Sequence, residues 1–461
     1  MRTYLHSAVA ALVAVALPLF CWADHQTCNP PDDPQVVAAA AALRELGPRG
    51  LEQALAEFDR IADLLARTAM DIDVRQQTEG ELADWQRVAE LVAQQRSAHV
   101  SRLYWHTELE EALAESRDTG KPVLSLRMLG KLTDEYSCAN SRFFRTTLYV
   151  NESIRQKLAE KFVLHWQSVR PVPVVTIDFG DGRKLERTLT GNSAHYVLAS
   201  DGTPLDALPG LYSPAAFSAW LDRTVSLYDR LKGKNPPEYV IAEYHRAQLA
   251  AIDRQLARDV ERLPEELRAS FASATVQPVN RTEPRPVAAK ASRIAVGKTA
   301  AEGPLVRAIE PATRTIELVS QSDNEPLWRA IAALHEEGSR LDKASVELIR
   351  SEQPIPAHIA ARAAMSKAFV EDPLVRLVSQ FENSIALDTV RNEYLLHRKI
   401  HKWYVEGSAT TSVDNLNKRV YAELFLTPSS DPWLGLVPPD TYTGLREGGL
   451  RVEEASATVA R

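Results

Sequence analysis

The stretch EYSCANSRFFR, Glu135 to Arg145, contains Cys138, the one cysteine in the body of a 461-residue chain that has three cysteines in all. At the first turn of a helix, exposed backbone N–H groups and the helix dipole stabilise a thiolate, the nucleophile of thiol-disulfide exchange. The third position after the cysteine is Ser141, so the motif reads Cys138-Ala139-Asn140-Ser141, a monothiol C-x-x-S. A dithiol cycle within this motif is therefore excluded. Arg142 and Arg145 fall on the same side of a helix as Cys138. They could hold an anion or stabilise a thiolate, or they could form salt bridges to Asp134, Glu135 and flanking helices.

A second constellation lies near the other end of the chain. In DTVRNEYLLHRKIHKW, Glu393, His397 and His401 follow one another at helical i, i+4 steps and share one face. Two neutral imidazoles one turn apart, with a carboxylate, can bind zinc or another divalent ion. A fourth ligand would have to come from elsewhere, with His335 or His358 as candidates. The interleaved Arg398, Lys399 and Lys402 suit a solvated or interdomain face instead. The expectation is no metal and no cofactor, with the histidines as polar contacts inside a helical bundle. Asp178, Asp181 and Gly182 offer too few oxygen ligands for a calcium loop. Nucleophile-elbow, zincin, P-loop and dinucleotide-fingerprint motifs are all missing from the sequence.

Composition bounds what can carry these residues. With 45% hydrophobic and 25% charged residues, the chain is ordinary globular material for two or three domains. A net charge of -7 without a dense Lys/Arg stripe excludes nucleic acid as an expected partner. Residues 1–23 read as a signal peptide: Arg2, the apolar run AVAALVAVALPLF, and Ala23 before a cut. The run is too short to span a bilayer, so a periplasmic or secreted protein with no membrane span after cleavage is expected. Cys21 lacks the small preceding residues of a lipobox. Cys28, in the loose leader HQTCNPPDDP, is free to pair with Cys138, with glutathione, or to serve as a resolving thiol.

Periodicity divides the remainder. Residues 24–103 form an N-terminal helical segment, with Val37, Leu43, Leu51, Leu55, Phe58, Ile61 and Leu65 at helical spacing and LGPRG breaking it in two. Residues 104–232 alternate: a helix through ALAESRDTG, a strand from Pro122, a helix over SRFFRTTLYVNESIRQKLAEK, a strand FVLHWQSV, a hairpin turning at GDGR, a strand HYVLAS, a turn at Asp201-Gly202, the strand TPLDALPG, and a closing helix capped by Ser213. Residues 233–272 read as one long polar connecting helix, 273–323 as a flexible Pro/Ala-rich linker, and 324–461 as a C-terminal helical domain with a Pro/Gly-rich tail. Trp403, Tyr404, Tyr421, Phe425 and Trp433 are expected to tie that tail down.

The middle region resembles the thioredoxin-like superfamily over about residues 104–231. The resemblance lies in the lead-in ALAESRDTGKPVLSL, Cys138 at the following helix start, KFVLHW as the second strand, and ASDGTPLDALPGLYSPAAFSAWL as closing hairpin and last helix. It implies a mixed sheet with helices on both faces, flanked by the N-terminal helical segment and a C-terminal all-α region. It also places Asn192, Ser193 and His195 beside Cys138, where His195 would lower the thiol pKa or carry a proton, or else act as an ordinary strand residue. Two departures stand out. The insert RMLGKLTDEY separates strand and cysteine, and the family's cis-proline is replaced by Ser193 or Ala194. The expected function is monothiol redox or thiol-disulfide exchange with protein thiols or disulfides, the catalytic set being Cys138, Ser141 and His195. The alternative is a non-catalytic scaffold for an envelope protein partner.

Overall fold

The computed structural model describes residues 32–67, 70–188, 192–231, 238–268, 325–352, 373–407, 412–431 and 434. The expected signal peptide, Cys28, the expected linker 273–323, His358, Trp433 and the end of the tail lie outside the described residues.

Helix α1 (Pro34–Arg44) starts where Asp33 accepts a 2.7 Å hydrogen bond from the Gln35 N–H, with proline at its first position. The LGPRG break is a turn through Gly47, at φ +64°, into α2 (Pro48–Arg67). Gly50 is required there for space, since a Cβ would sit 1.8 Å from the Leu43 carbonyl oxygen. A third helix, α3 (Ile72–Ala93), follows a second break, so the two segments expected are three. Leu51, Ala54 and Leu55 of α2 pack on Val88 and Val92 of α3. Arg44 fastens this hairpin to the next unit by donating to the Val92 and Trp105 carbonyls at 2.6 and 2.7 Å.

The middle region runs α4 (Leu109–Thr119), β1 (Val123–Leu129), α5 (Ala139–Phe143) with a π-helical turn Phe144–Leu148, α6 (Glu152–Lys161), β2 (Val163–Arg170), β3 (Val174–Asp178), β4 (Lys184–Thr188), β5 (Ser193–Leu198), β6 (Pro204–Pro209) and α7 (Pro214–Leu231). The helix expected across Ser141–Lys161 is interrupted, because Asn151 stops the first part and caps the second by accepting from the Ile154 N–H at 3.2 Å. The main sheet has the order β2-β1-β5-β6. Strands β1 and β2 are parallel, while β5 runs antiparallel to both β1 and β6. The β3–β4 hairpin stands apart as a two-stranded sheet, and its turn is held by Asp178 and Asp181 accepting from the Gly180 and Arg183 N–H groups at 2.9 and 3.1 Å.

Every residue of β1, β5 and β6 is buried, the signature of a sheet covered on both faces. Successive residues of β5 show by what. His195 meets Phe144 and Phe217 at ring-centroid distances of 4.6 and 5.0 Å, which puts the 144–148 turn and α7 on one face. The Tyr196 hydroxyl donates to Asn417 at 3.0 Å, which puts a C-terminal helix on the other. The architecture is thus mixed α/β, a four-stranded mixed sheet flanked by helices.

The chain continues through α8 (Glu238–Glu261), α9 (Glu325–Ala333), α10 (Lys343–Glu352), α11 (Pro373–Arg391), a π-helical segment Asn392–His397, α12 (Arg398–Val405), α13 (Val413–Arg419) and a second π-helical stretch Val420–Leu424. Helix α8 differs from a solvated connector: it ends at Glu261, ahead of Pro264, and buries Ile241, Tyr244, His245, Ile252 and Asp259. Ile400 and Trp403 of α12 and Leu416 of α13 share one apolar core with Leu124, Leu126 and Tyr196 of the sheet. Against α8, Leu327 and Ile331 of α9 and Val390 of α11 build a separate cluster with Ile252.

Candidate functional site

Cys138 is the N-cap residue of α5, and its N–H donates to the Leu129 carbonyl at 3.2 Å, which pins the helix start to the end of β1. The thiol is free and has no exposed surface. The Ser141 hydroxyl donates to the Cys138 carbonyl at 2.7 Å and lies 3.4 Å from its sulfur. Arg142 reaches Thr188 of β4 at 2.9 Å. Arg145 is buried and donates to the Leu132 and Asp134 carbonyls at 3.1 and 2.8 Å, so its task is to hold the long insert between strand and cysteine. Glu135 pairs instead with Arg96 at 2.5 Å. Burial, with Arg96 nearby, lowers the Arg145 guanidinium to about 10, still cationic at neutral pH.

The other residues assigned to this site are buried as well. His195 Nε2 lies 2.7 Å from the Tyr149 hydroxyl, and burial lowers its pKa to about 3, so the ring is neutral and cannot serve as an imidazolium. Asn192 donates to Thr427 at 3.0 Å, and its carbonyl accepts from the Tyr421 hydroxyl at 2.9 Å. Ser193 has a buried hydroxyl with no partner among the described residues, while its carbonyl accepts from the Gly210 N–H at 2.8 Å. Asn192, just before β5, is therefore clasped by the chain's own C-terminal segment through Tyr421 and Thr427.

The second constellation gains partners that spacing did not reveal. Helix α11 continues without a break through the π-helical segment into α12, and Glu393, His397 and His401 do share a face: His397 Nδ1 is 3.0 Å from Glu393 and the two imidazole centroids are 4.0 Å apart. His397 points at Asp206 of β6 and His401 at His245 of α8. His397 Nε2 lies 3.3 Å from Asp206 Oδ1, and His245 Nδ1 lies 2.6 Å from His401 Nδ1. Asp206, His245, His397 and His401 have at most 1% of their surfaces exposed.

A local irregularity aims the carboxylate. Leu205 is an extra residue on β6 between the pairs Val197–Asp206 and Leu198–Pro204, and a bulge of this kind re-aims the side chain beside it and frees a carbonyl. The Leu205 carbonyl accepts from His245 Nε2 at 2.9 Å. The neighbouring Pro204 carbonyl accepts from the Tyr404 hydroxyl at 3.0 Å, and the Tyr404 ring stacks on His245 at 3.8 Å. Asp206 Oδ2 accepts from Trp220 Nε1 at 3.1 Å and from the Tyr244 hydroxyl at 3.0 Å.

Opposing effects set the charges. Burial would raise the Asp206 carboxyl, but the His397 and His401 imidazoles beside it hold it well below the ordinary range. Burial would lower His397, yet Glu393 and Asp206 on either side raise it to about 9. Burial lowers His245 to about 4 and, together with the His397 charge, drives His401 well below its usual value. As they stand, the four groups form an ionised Asp206–His397 pair with two neutral imidazoles against it.

His335, weighed as a further ligand, is instead paired with Asp259 at 2.7 Å. Sequence reasoning missed Asp206, His245, Tyr244 and Trp220 because they lie on three separate elements. The odd feature a reader could have noticed is Asp206 itself, an acid inside the apolar strand PLDALP. Among protein-family models, curated proteins and solved structures, nothing matches this chain.

Proposed function

We propose that the chain is an exported thioredoxin-like scaffold of the cell envelope, in which Cys138 is a core residue and no redox centre turns over. The observation that carries this reading is the clasp on the loop before β5. In thioredoxin-like proteins that loop faces the reactive cysteine and docks the polypeptide substrate. Here Thr427 and Tyr421 occupy the side-chain amide and the carbonyl of Asn192, and the thiol is sealed beneath the surface. The four-stranded sheet β2-β1-β5-β6, parallel in its first pair, antiparallel in the others and flanked by helices, supports the mixed α/β architecture that the resemblance implies. Export rests on the signal-like N-terminus. No helix among the described residues is long and apolar enough to cross a membrane.

Monothiol exchange is a second reading, favoured by the place of Cys138 at a helix start. It requires the C-terminal segment to leave the loop. Mixed-disulfide trapping in the intact mature protein separates the two. The scaffold reading expects no adduct beyond that of Cys138→Ser; a partner held through Cys138 in stoichiometric yield would establish exchange instead.

A further inference from the structure

We propose that His245, His401 and Asp206, with His397 beside Asp206 as the fourth donor, form a structural site for one divalent transition-metal ion of the zinc class. The site is independent of the scaffold reading and serves to clip the C-terminal helices to the sheet. Three imidazole nitrogens and one carboxylate oxygen make a zinc-type donor set, and a site closed to solvent with four protein ligands is the structural type. His245 Nδ1, His401 Nδ1 and an Asp206 oxygen all lie within 4.8 Å of one another. The edge from His397 Nε2 to Asp206 Oδ1, at 3.3 Å, already has the separation of two ligands on a tetrahedral zinc, roughly 3.3 Å for bonds near 2.0 Å.

The outer partners carry the argument further than the donor set. Metal-binding histidines donate their other ring N–H to a carbonyl or carboxylate, which fixes the tautomer and turns a lone pair inward. His245 Nε2 is 2.9 Å from the Leu205 carbonyl, which can only accept, so Nε2 carries the proton and Nδ1 faces the cluster. His397 Nδ1 stands in the same way against Glu393 at 3.0 Å. Asp206 uses Oδ2 for Trp220 and Tyr244, while Oδ1 accepts from the Ala207 N–H at 2.8 Å and turns its other lone pair toward the histidines. The His245 and His401 Nδ1 atoms, 2.6 Å apart, are satisfied either by a hydrogen bond from a neutral His401 Nδ1–H to the His245 lone pair or by a metal ion that both lone pairs face. Asp206 adds a carboxylate oxygen to that pair, and His397 Nε2, beside Asp206 but outside the group of three, becomes the fourth donor by a small shift toward the ion. The π-helical segment Asn392–His397 sets the azimuth at which His397 and His401 reach it, and such segments concentrate at functional sites.

Because the site is closed, the ion enters during folding, and chelator added to folded protein is a poor probe. The mature protein is therefore unfolded in guanidinium with chelator, then refolded with or without zinc chloride and desalted. Elemental analysis is expected to find about one zinc per chain, with a melting temperature roughly 5 °C or more above that of the zinc-free preparation. Refolding with cobalt(II) is expected to give the intense visible bands of a tetrahedral site. His245→Gln and His401→Gln should lose the metal, and His195→Gln, a buried imidazole outside the cluster, should keep it. Should the first two fail to refold, Glu393→Gln provides the check, with about tenfold weaker zinc binding in a folded protein. Folded wild-type protein with no bound zinc or cobalt and an unchanged melting temperature would overturn the proposal and leave a proton-bridged seam. So would metal retained by both histidine variants.

Discussion

The Ser141 hydroxyl lies 3.4 Å from the Cys138 sulfur and donates a 2.7 Å hydrogen bond to the carbonyl of the same residue. The serine thus occupies the place of the second sulfur in a dithiol motif and closes the first turn of α5. Ser141→Cys, refolded with oxidised glutathione, is expected to form an intrachain disulfide to Cys138, because the two side chains already approach to near the reach of a disulfide. Mass spectrometry after thiol blocking reads it directly. The same variant is expected to leave insulin unreduced while native, since the pair remains buried. Insulin reduction by the folded variant would show that the clasp over this region opens.

Arg145 holds the insert between β1 and α5 through the Leu132 and Asp134 carbonyls. Arg145→Met keeps most of the side-chain volume and removes both donors. A buried acceptor left without a donor costs about 1–3 kcal/mol, so urea unfolding should show a loss of roughly 2–4 kcal/mol, with faster proteolysis between Gly130 and Ser137. A loss below about 0.5 kcal/mol would mean the insert is held by other contacts.

Tyr149→Phe tests the partner of His195. The hydroxyl and the imidazole Nε2 are 2.7 Å apart in the core. Removing the hydroxyl strands a buried ring nitrogen, and the expected cost is about 1–3 kcal/mol by chemical denaturation. An unchanged midpoint would show that the imidazole has a second partner.

Stability against pH has a defined sign. Burial lowers both His195 and His165 to about 3, while an unfolded imidazole titrates near 6.5. Both rings are neutral in the folded protein, so their contribution is fully present above about pH 6.5 and is lost as pH falls toward about 3. Each adds a slope of about 1.4 kcal/mol per pH unit within that window, because the unfolded state binds the extra proton. His195→Gln should flatten the wild-type profile by that amount between pH 6 and pH 4. Parallel profiles would mean the imidazole is protonated in the folded state.

Local chemistry made much of this molecule legible in the sequence. Asp201-Gly202 marked the β5–β6 turn, Ser213 marked the α7 start, and the spacing of Glu393, His397 and His401 placed three side chains on one face, as the helix has them. Contacts distant in sequence were not legible. Asp206 meets His397 only because the C-terminal helices fold back on the sheet, bringing together residues 191 positions apart. The clasp of Tyr421 on Asn192 spans 229 positions. The composition of α8 suggested a polar connecting helix, and composition does not announce that His245 and Asp259 will be buried through polar partners. The cysteine drew attention by its position, yet it is fully buried, and burial depends on packing that position alone does not reveal.

The most direct measurement for the central claim is the rate at which Cys138 in mature Cys28→Ser protein reacts with an aromatic disulfide such as DTNB, in buffer and in guanidinium. A core thiol reacts through opening of the fold. The expectation is a native rate on the order of 1,000-fold below the denatured rate, falling further when stabilising osmolyte is added. Reaction in buffer as fast as in denaturant, or faster, would contradict the scaffold account and establish Cys138 as an accessible, activated thiol.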